Sequence, residues 1–337
     1  MPATYTSDQQ VFCLNAISNL GNEYQGTAEV IASQTSAAIN NILSDPGVNG
    51  LIGNWSCVWG PQVVAAEGKA LNTMFIAHNS DSDQYVVAIA GTDSKCVLDW
   101  LLEDFLVSTK VDWPYGGFDL SPNPMTSLGT SIGLNALIGM AVTTNSIHVH
   151  ARDYLQNQAA TNVIVTGHSL GGALAPAYAL YLNDTVSQWA NGRAVTISCA
   201  PAAGATPGDQ AFSDYYGQRL GATTNRVWNA HDVVPHAFEH DMLTEIKAIF
   251  EPHVKTPISV RGAIDLIKLL TINKNYTQLL PATAGFTLTN CSGATTFGDA
   301  LLCNHICAYA DHFQVADFQA AVQRVLNMAS PFFSSGC

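Results

Sequence analysis

Charged residues are scarce in this chain of 337 residues: they make up 12% of it, against roughly 25% in an average soluble protein. Basic residues are the scarcer kind, with 13 Lys and Arg against 26 Asp and Glu and a net charge of −13. Because phosphates would repel such a chain, nucleic acid is excluded as a partner, and anionic membrane surfaces are disfavoured. An uncharged substrate is therefore favoured.

Several sequence signals are also absent. No run of 18 apolar residues occurs, so no transmembrane helix is predicted. The first ten residues, MPATYTSDQQ, lack the basic and apolar regions of a secretory signal, so either a signal has been removed or the protein is not exported by that route. The phosphate-binding pattern G-x-x-x-x-G-K-[ST] is missing. Neither Cys303, His305 and Cys307 nor His148 and His150 have the spacing of a zinc site. We expect no metal and no cofactor.

Cysteines and glycosylation sequons favour a secreted protein. The eight cysteines are an even number and could form four disulfides in 105 possible pairings. They are Cys13, Cys57, Cys96, Cys199, Cys291, Cys303, Cys307 and Cys337. N-x-S/T sequons stand at Asn54, Asn183, Asn275 and Asn290.

Hydrophobic periodicity predicts a single α/β domain over residues 1–337, with residues 1–50 as an N-terminal helical extension. Strands are predicted at 62–66, 73–78, 84–90, 162–166, 194–199 and 225–229. Helices are predicted at 9–20, 27–43, 170–183, 208–221, 238–250 and 313–328. Strands and helices alternate in the second half, which is typical of a mostly parallel sheet covered by helices on both faces.

The most informative segment is NVIVTGHSLGGALA at Asn162–Ala175. It contains G-x-S-x-G between an apolar strand and an Ala- and Leu-rich helix, the context in which this pattern marks a nucleophilic serine. Side chains at Gly167 and Gly171 would collide with the neighbouring strand and helix. The amides that begin the helix favour negative charge beside the serine. Ser169 is therefore predicted to be a nucleophile.

At these residues the chain resembles the class 3 lipases, the family of fungal triacylglycerol lipases and feruloyl esterases. VVAIAGTDSKCVLDWLLED at Val86–Asp104 resembles the family's strand that ends in F-R-G-[ST], although Ile89 and Ala90 replace Phe and Arg. NRVWNAHDVVPH at Asn225–His236 resembles its R-V-x-N-x-x-D-x-V-P segment. The resemblance implies an α/β-hydrolase fold, a mostly parallel central sheet flanked by helices, with a possible helical lid.

The resemblance also implies the other site residues. Asp232 matches the acid that orients the catalytic histidine, and the order Ser, Asp, His is that of the α/β-hydrolases. In relatives the histidine lies in a late loop before the final helix, which favours His312 as the base and leaves His305 as the alternative. The backbone amides of Leu170 and Thr92 are the expected oxyanion hole.

The implied activity is that of a serine carboxylic-ester hydrolase, foremost a lipase that acts on acylglycerols at a lipid–water interface. Phospholipase A1, feruloyl esterase and short-chain esterase activities are the alternatives. A non-catalytic lipid-binding domain and an acyltransferase remain further readings. Residues 113–144 occupy the position of the relatives' lid and are nearly uncharged, but 132–140 could equally be a buried helix under the sheet. The apolar helix predicted at 258–270 is a further candidate for a cap or substrate wall.

Overall fold

The computed structural model describes residues 3–91, 106–117, 121–144, 146–288, 291 and 293–327. The strands are β1 (Trp55–Ala66), β2 (Lys69–Asn79), β3 (Gln84–Ile89), β4 (Lys110–Asp112), β5 (Met125–Ser127), β6 (Ala141–Thr144), β7 (Ile147–His150), β8 (Asn162–His168) and β9 (Thr196–Ala202).

The longer helices of the first half follow the predicted periodicity, and most begin at a side-chain cap such as Thr6, Thr27 or Ser127. The helices are α1 (Ser7–Ser18), α2 (Ala28–Ser44), α3 (Pro46–Ile52), α4 (Leu128–Gly139), α5 (Ala151–Asn157), α6 (Leu170–Asp184), α7 (Val186–Trp189), α8 (Gln210–Leu220), α9 (His240–Glu245), α10 (Ile258–Thr271), α11 (Phe297–Leu302), α12 (Ala308–Phe313) and α13 (Ala316–Leu326). Short 3₁₀ helices lie at Asn19–Glu23, Gly221–Thr223, Val234–His236 and Ile246–Ala248, and a π-helical turn at Cys303–Cys307.

The central sheet has the strand order β1-β2-β3-β8-β9 and is mixed rather than mostly parallel. β1, β2 and β3 pair antiparallel, since short turns join them, whereas β3, β8 and β9 pair parallel through helical crossovers. Ile89 of β3 pairs with Gly167 of β8, and Gly167 pairs with Pro201 of β9. The carboxyl ends of three adjacent strands therefore meet at one edge of the sheet.

The segment predicted as a strand at 225–229 lies alongside β9 but does not form a regular strand. Val227 makes a single parallel bridge to Ala202, and its amide donates to Pro201 O at 3.0 Å. This pairing places Asp232, a few residues further on, beside the carboxyl ends of β8 and β9.

Both faces of the sheet are covered by helices. In β3, Tyr85, Val87 and Ile89 pack in the cluster that contains α4 and α6 residues, since alternate side chains of a strand point to opposite faces. Val86 and Ala88 pack in the opposite cluster, with residues of α1, α2 and α13. The N-terminal helices thus bury one whole face of the sheet that carries the site.

Part of the predicted lid region, 113–144, packs in the core, although Ile132 of α4 is 52% exposed. Trp113, Leu134 and Leu137 are buried in the cluster on the α6 face. A Cβ at Gly133 would lie 2.7 Å from Leu174 of α6, so α4 packs closely on α6. The contacts favour the buried-helix alternative, because a cover over the site would need a surface that can separate from the core.

Candidate active site

Ser169 lies at the sharp turn between β8 and α6. Its backbone has φ 60° and ψ −123°, a conformation that costs a non-glycine residue about 1–3 kcal/mol. The Ser169 amide donates to Ala202 O at 3.1 Å, and the side chain is 2% exposed. Strand β8, the strained turn and helix α6 together form the nucleophile elbow that the sequence predicts.

The glycines on either side make this turn sterically possible. A Cβ at Gly167 would lie 2.1 Å from Gly171 O, and a Cβ at Gly171 would lie 2.2 Å from Ile89 O. Real Cβ atoms essentially never come that close to backbone oxygen. The elbow therefore needs glycine at both positions, as the sequence predicts.

His305 bridges Ser169 and Asp232. Its Nε2 lies 2.8 Å from Ser169 Oγ, and its Nδ1 lies 2.8 Å from Asp232 Oδ2 and 3.0 Å from Oδ1. All three side chains are almost wholly buried. An imidazole with its Nδ1–H donated to Asp232 presents an unprotonated Nε2 to the serine hydroxyl, as a general base must.

Three donors surround the Asp232 carboxylate. Besides His305, the Val234 amide donates to Oδ1 at 3.0 Å and the Tyr309 hydroxyl donates to Oδ2 at 2.9 Å. Burial, and then the nearby Asp232 charge, raise the pKa of Tyr309 well above 10, so the phenol stays protonated and remains a donor. The buried carboxylate is thus hydrogen-bonded on both oxygens, which offsets the cost of removing it from water.

The structure places His305, rather than the predicted His312, against Ser169. His305 lies in the π-helical turn between α11 and α12, a local widening that often occurs at functional sites. His312 is seven residues further along the helical segment, about 10 Å at 1.5 Å per residue. It stacks on Phe286, with ring centroids 4.1 Å apart. The late loop that the resemblance implies is helical here, and His305 lies one turn before Tyr309, whose hydroxyl donates to Asp232.

His168, directly before the nucleophile, packs against this network. Its ring centroid lies 4.7 Å from that of His305 and 5.1 Å from that of Tyr309. Burial, together with the adjacent His305, lowers the pKa of His168 well below 6.5. His168 is therefore neutral, so it places no charge beside His305 when that ring accepts a proton.

Of the two expected oxyanion donors, the structure describes only Leu170. Leu170 begins α6, and the amides of a first helical turn have no partner inside the helix. The Leu170 amide, one of the two expected oxyanion donors, therefore has no partner within the helix. Thr92, the other predicted donor, lies outside the described residues. Gly91, which precedes it, is close to the nucleophile, since a Cβ there would lie 3.1 Å from Ser169 Cβ.

Two asparagines from the N-terminal extension hold Gly91, a feature that the sequence does not reveal. Asn19 Oδ1 accepts the Gly91 amide at 2.8 Å. Asn22 Nδ2 donates to Gly91 O at 3.2 Å. Both asparagines lie in the 3₁₀ helix after α1, far from Gly91 in sequence, so no short motif could indicate their contact with the oxyanion strand.

Cysteines near the base are oxidised. Cys291 and Cys303 form a disulfide, which ends two residues before His305, and Cys307 is disulfide-bonded as well. Among the described residues no cluster of three or more His, Cys, Asp or Glu could hold a metal ion. Cys57 and Cys199 are free thiols, and burial raises the pKa of each to about 12, so neither is an activated nucleophile.

The mixed sheet flanked by helices and the elbow after β8 define an α/β-hydrolase fold. Residues 86–242 match the model of the family described as lipase (class 3). The chain is similar to the class 3 lipases over this range and is a lipase-like carboxylic-ester hydrolase.

The chain is similar to several solved lipase structures. M37 lipase is 26% identical, and the alignment covers 95% of this chain and 98% of that one with a TM-score of 0.83. Lipase II from Rhizopus niveus is 16% identical over 70% of this chain and 76% of that one, with a TM-score of 0.47. The triacylglyceride lipase of Rhizomucor miehei is 16% identical over 68% and 75%, with a TM-score of 0.46. No curated protein sequence matches the chain significantly.

Proposed function

We propose that this protein is a lipase that hydrolyses acylglycerols, with Ser169, His305 and Asp232 as its catalytic triad. The observation that carries the proposal is the continuous hydrogen-bond chain from Ser169 Oγ through the His305 ring to the Asp232 carboxylate. Such a chain serves acyl transfer, because the serine must lose a proton as it attacks a carbonyl carbon.

The proposed mechanism has two steps. Ser169 Oγ attacks the ester carbonyl while His305 Nε2 accepts the hydroxyl proton, and the oxyanion is stabilised by the Leu170 amide and, by resemblance to the family, the amide of Thr92. His305 then protonates the departing alcohol, which leaves an acyl-enzyme. Water next attacks the acyl-enzyme with His305 as base, and the acid and Ser169 are released. Losing one oxyanion donor costs about 3 kcal/mol of transition-state stabilisation.

The setting we propose is a lipid–water interface outside the cytoplasm. The Cys291–Cys303 disulfide supports an oxidising compartment. The family assignment supports lipid esters as substrates. None of the described helices is long and apolar enough to cross a membrane.

Hydrolysis assays with a matched variant test this function. We expect release of p-nitrophenol from a series of acetate to palmitate esters and of oleate from emulsified triolein, with Ser169→Ala about a millionfold less active. A preference for long chains that rises once the substrate forms an interface would support a lipase.

Other outcomes of the same assays would assign a different esterase activity or overturn the triad. Activity confined to short soluble esters would replace lipase with esterase, and preferred cleavage of phosphatidylcholine or methyl ferulate would replace it with phospholipase A1 or feruloyl esterase. Ser169→Ala equal to the unmodified protein on every substrate would overturn the triad.

A further inference from the structure

Helix α10, Ile258–Thr271, has an apolar outer face as well as an apolar inner one. Its inner residues Val260, Ile264 and Ile267 are buried. On the other side Ile258 is 89% exposed, Leu269 66% and Leu266 55%, with Leu270 and Ile272 also exposed. Of the ten large hydrophobic residues that are exposed within the described ranges, these five lie between 258 and 272. A concentration of this kind marks an interaction surface.

The same segment is basic on an acidic protein. Residues 247–274 contain five of the chain's 13 Lys and Arg and two of its 26 Asp and Glu, a local net charge of +3 on a chain of −13. Lys247 pairs with Asp265 and Arg261 pairs with Glu251. Within the part of the chain described, no ion pair joins an acid to the three remaining cations, which are Lys255, Lys268 and Lys274.

The position of α10 relates this face to the active site. Its buried residues share one hydrophobic cluster with Val233 and Val234, which directly follow Asp232, and Leu170, which follows Ser169, packs against that cluster. The inner face of α10 therefore packs on the segments that directly follow Ser169 and Asp232.

We infer that the outer face of α10 docks the protein on a negatively charged lipid surface. The inference deepens the proposed function, on which it rests, by naming the kind of interface the enzyme meets. Exposed aliphatic side chains flanked by lysines are the features with which an amphipathic helix lies in an anionic interface. The net negative charge of the rest of the chain repels such a surface, so approach through the basic segment 247–274 is favoured.

Vesicle binding tests the inference without catalysis. In a Ser169→Ala background, which leaves lipid uncleaved, we expect co-sedimentation with vesicles of equal parts phosphatidylcholine and phosphatidylglycerol, weakened by added salt. Leu266→Ser with Leu269→Ser should lower the partition coefficient about tenfold or more, because two apolar side chains no longer enter the interface. Lys255→Gln and Lys268→Gln should each lower it about fivefold.

A matched control shows whether binding depends on the outer face of α10 or on any exposed apolar side chain. Ile147→Ser removes a side chain that is 64% exposed on the β6–β7 hairpin and should leave binding unchanged. Equal binding of the Leu266/Leu269 variant and its parent would overturn the inference, as would an equal loss in Ile147→Ser. Equal binding to pure phosphatidylcholine vesicles would overturn the part played by charge.

Activity measurements distinguish failure of docking from failure of the triad. In the otherwise unmodified enzyme, Leu266→Ser with Leu269→Ser should keep full activity on soluble p-nitrophenyl acetate and lose about tenfold on an emulsion that contains phosphatidylglycerol. Loss on the soluble ester with unchanged vesicle binding would instead make α10 a wall of the substrate site and overturn the docking role. Concentration-dependent dimers abolished by the same variant, with vesicle binding unaffected, would assign the face to a second copy of the chain.

Discussion

Ser169 and His305, the proposed nucleophile and base, lie 2.8 Å apart, yet the molecule positions them in different ways. Ser169 is positioned by backbone packing: a strained turn sits between β8 and α6, and neighbouring strands approach too closely for any residue but glycine. His305 is positioned by side-chain contacts, since Asp232 binds its Nδ1 and Tyr309 in turn donates to the Asp232 carboxylate.

The difference explains why the elbow is visible in the sequence and the base is not. Close backbone approach restricts residue type at fixed spacing, so it leaves a short pattern around Ser169. A hydrogen-bond network restricts only which side chains meet in space. Asn229 illustrates this, because its amide donates to Tyr309 Oη at 2.9 Å and its side chain donates to Asn304 O at 3.0 Å across 75 residues.

Replacement of each candidate histidine by alanine is the strongest test of how side-chain contacts position the base. His305→Ala should lower kcat/KM on p-nitrophenyl butyrate by at least about ten-thousandfold, since the serine loses its base. His312→Ala should change it less than about twofold, because His312 contacts Phe286 rather than the triad. Steady-state kinetics of the two purified variants decide the matter, and the reverse order of losses would restore His312 as the base.

Replacement of one glycine of the elbow tests whether backbone packing positions Ser169. Gly171→Ala should lower the free energy of unfolding by about 3 kcal/mol or more, because its Cβ would lie 2.2 Å from Ile89 O. Gly139→Ala is the matched control, since no atom lies within 4 Å of a Cβ there. Urea denaturation of both variants measures the difference, and equal stability would show that the sheet relaxes to admit the methyl group.

Removal of the Tyr309 hydroxyl tests how much its hydrogen bond to Asp232 contributes to stability and to catalysis. Tyr309→Phe should cost about 1–3 kcal/mol of stability, because Asp232 loses a donor and the Asn229 amide loses an acceptor. We expect kcat to fall about tenfold with KM unchanged, since the orientation of His305 is loosened while the binding surface is kept. Tyr24→Phe, on a half-buried tyrosine outside the site, should alter neither quantity. A rise in KM alone would place Tyr309 in substrate binding instead.

The pH dependence of stability tests His168, which directly precedes Ser169 and packs against His305. The pKa of His168 is lowered in the folded protein, so below about pH 6.5 the unfolded chain binds a proton that the native state does not. Stability should therefore be retained above that pH and fall below it, by up to about 1.4 kcal/mol per pH unit for this one group. His168→Gln should flatten the slope by that amount in urea denaturation series between pH 5 and 7. An unchanged slope would mean that His168 titrates alike in both states.

Much of the fold and part of the site could be predicted from the sequence. The elbow at Ser169 and the helices and strands with clear apolar periods follow from local patterns, because backbone geometry and side-chain alternation act over a few residues. Local patterns could not reveal the antiparallel pairing of β1–β3, or the burial of α4 in the predicted lid region, since both depend on which elements become neighbours.

What the sequence by itself determined is the chemistry: a strained serine between strand and helix, a carboxylate after a later segment of the sheet, and an acidic chain suited to an uncharged ester. The tertiary structure decided which of the two candidate histidines lies against Ser169. His305 and His312 are equivalent as residue types, but only His305, in the π-helical turn, contacts the Asp232 carboxylate that Tyr309 also binds. That choice depends on distances between segments far apart in the chain, which only the folded arrangement fixes.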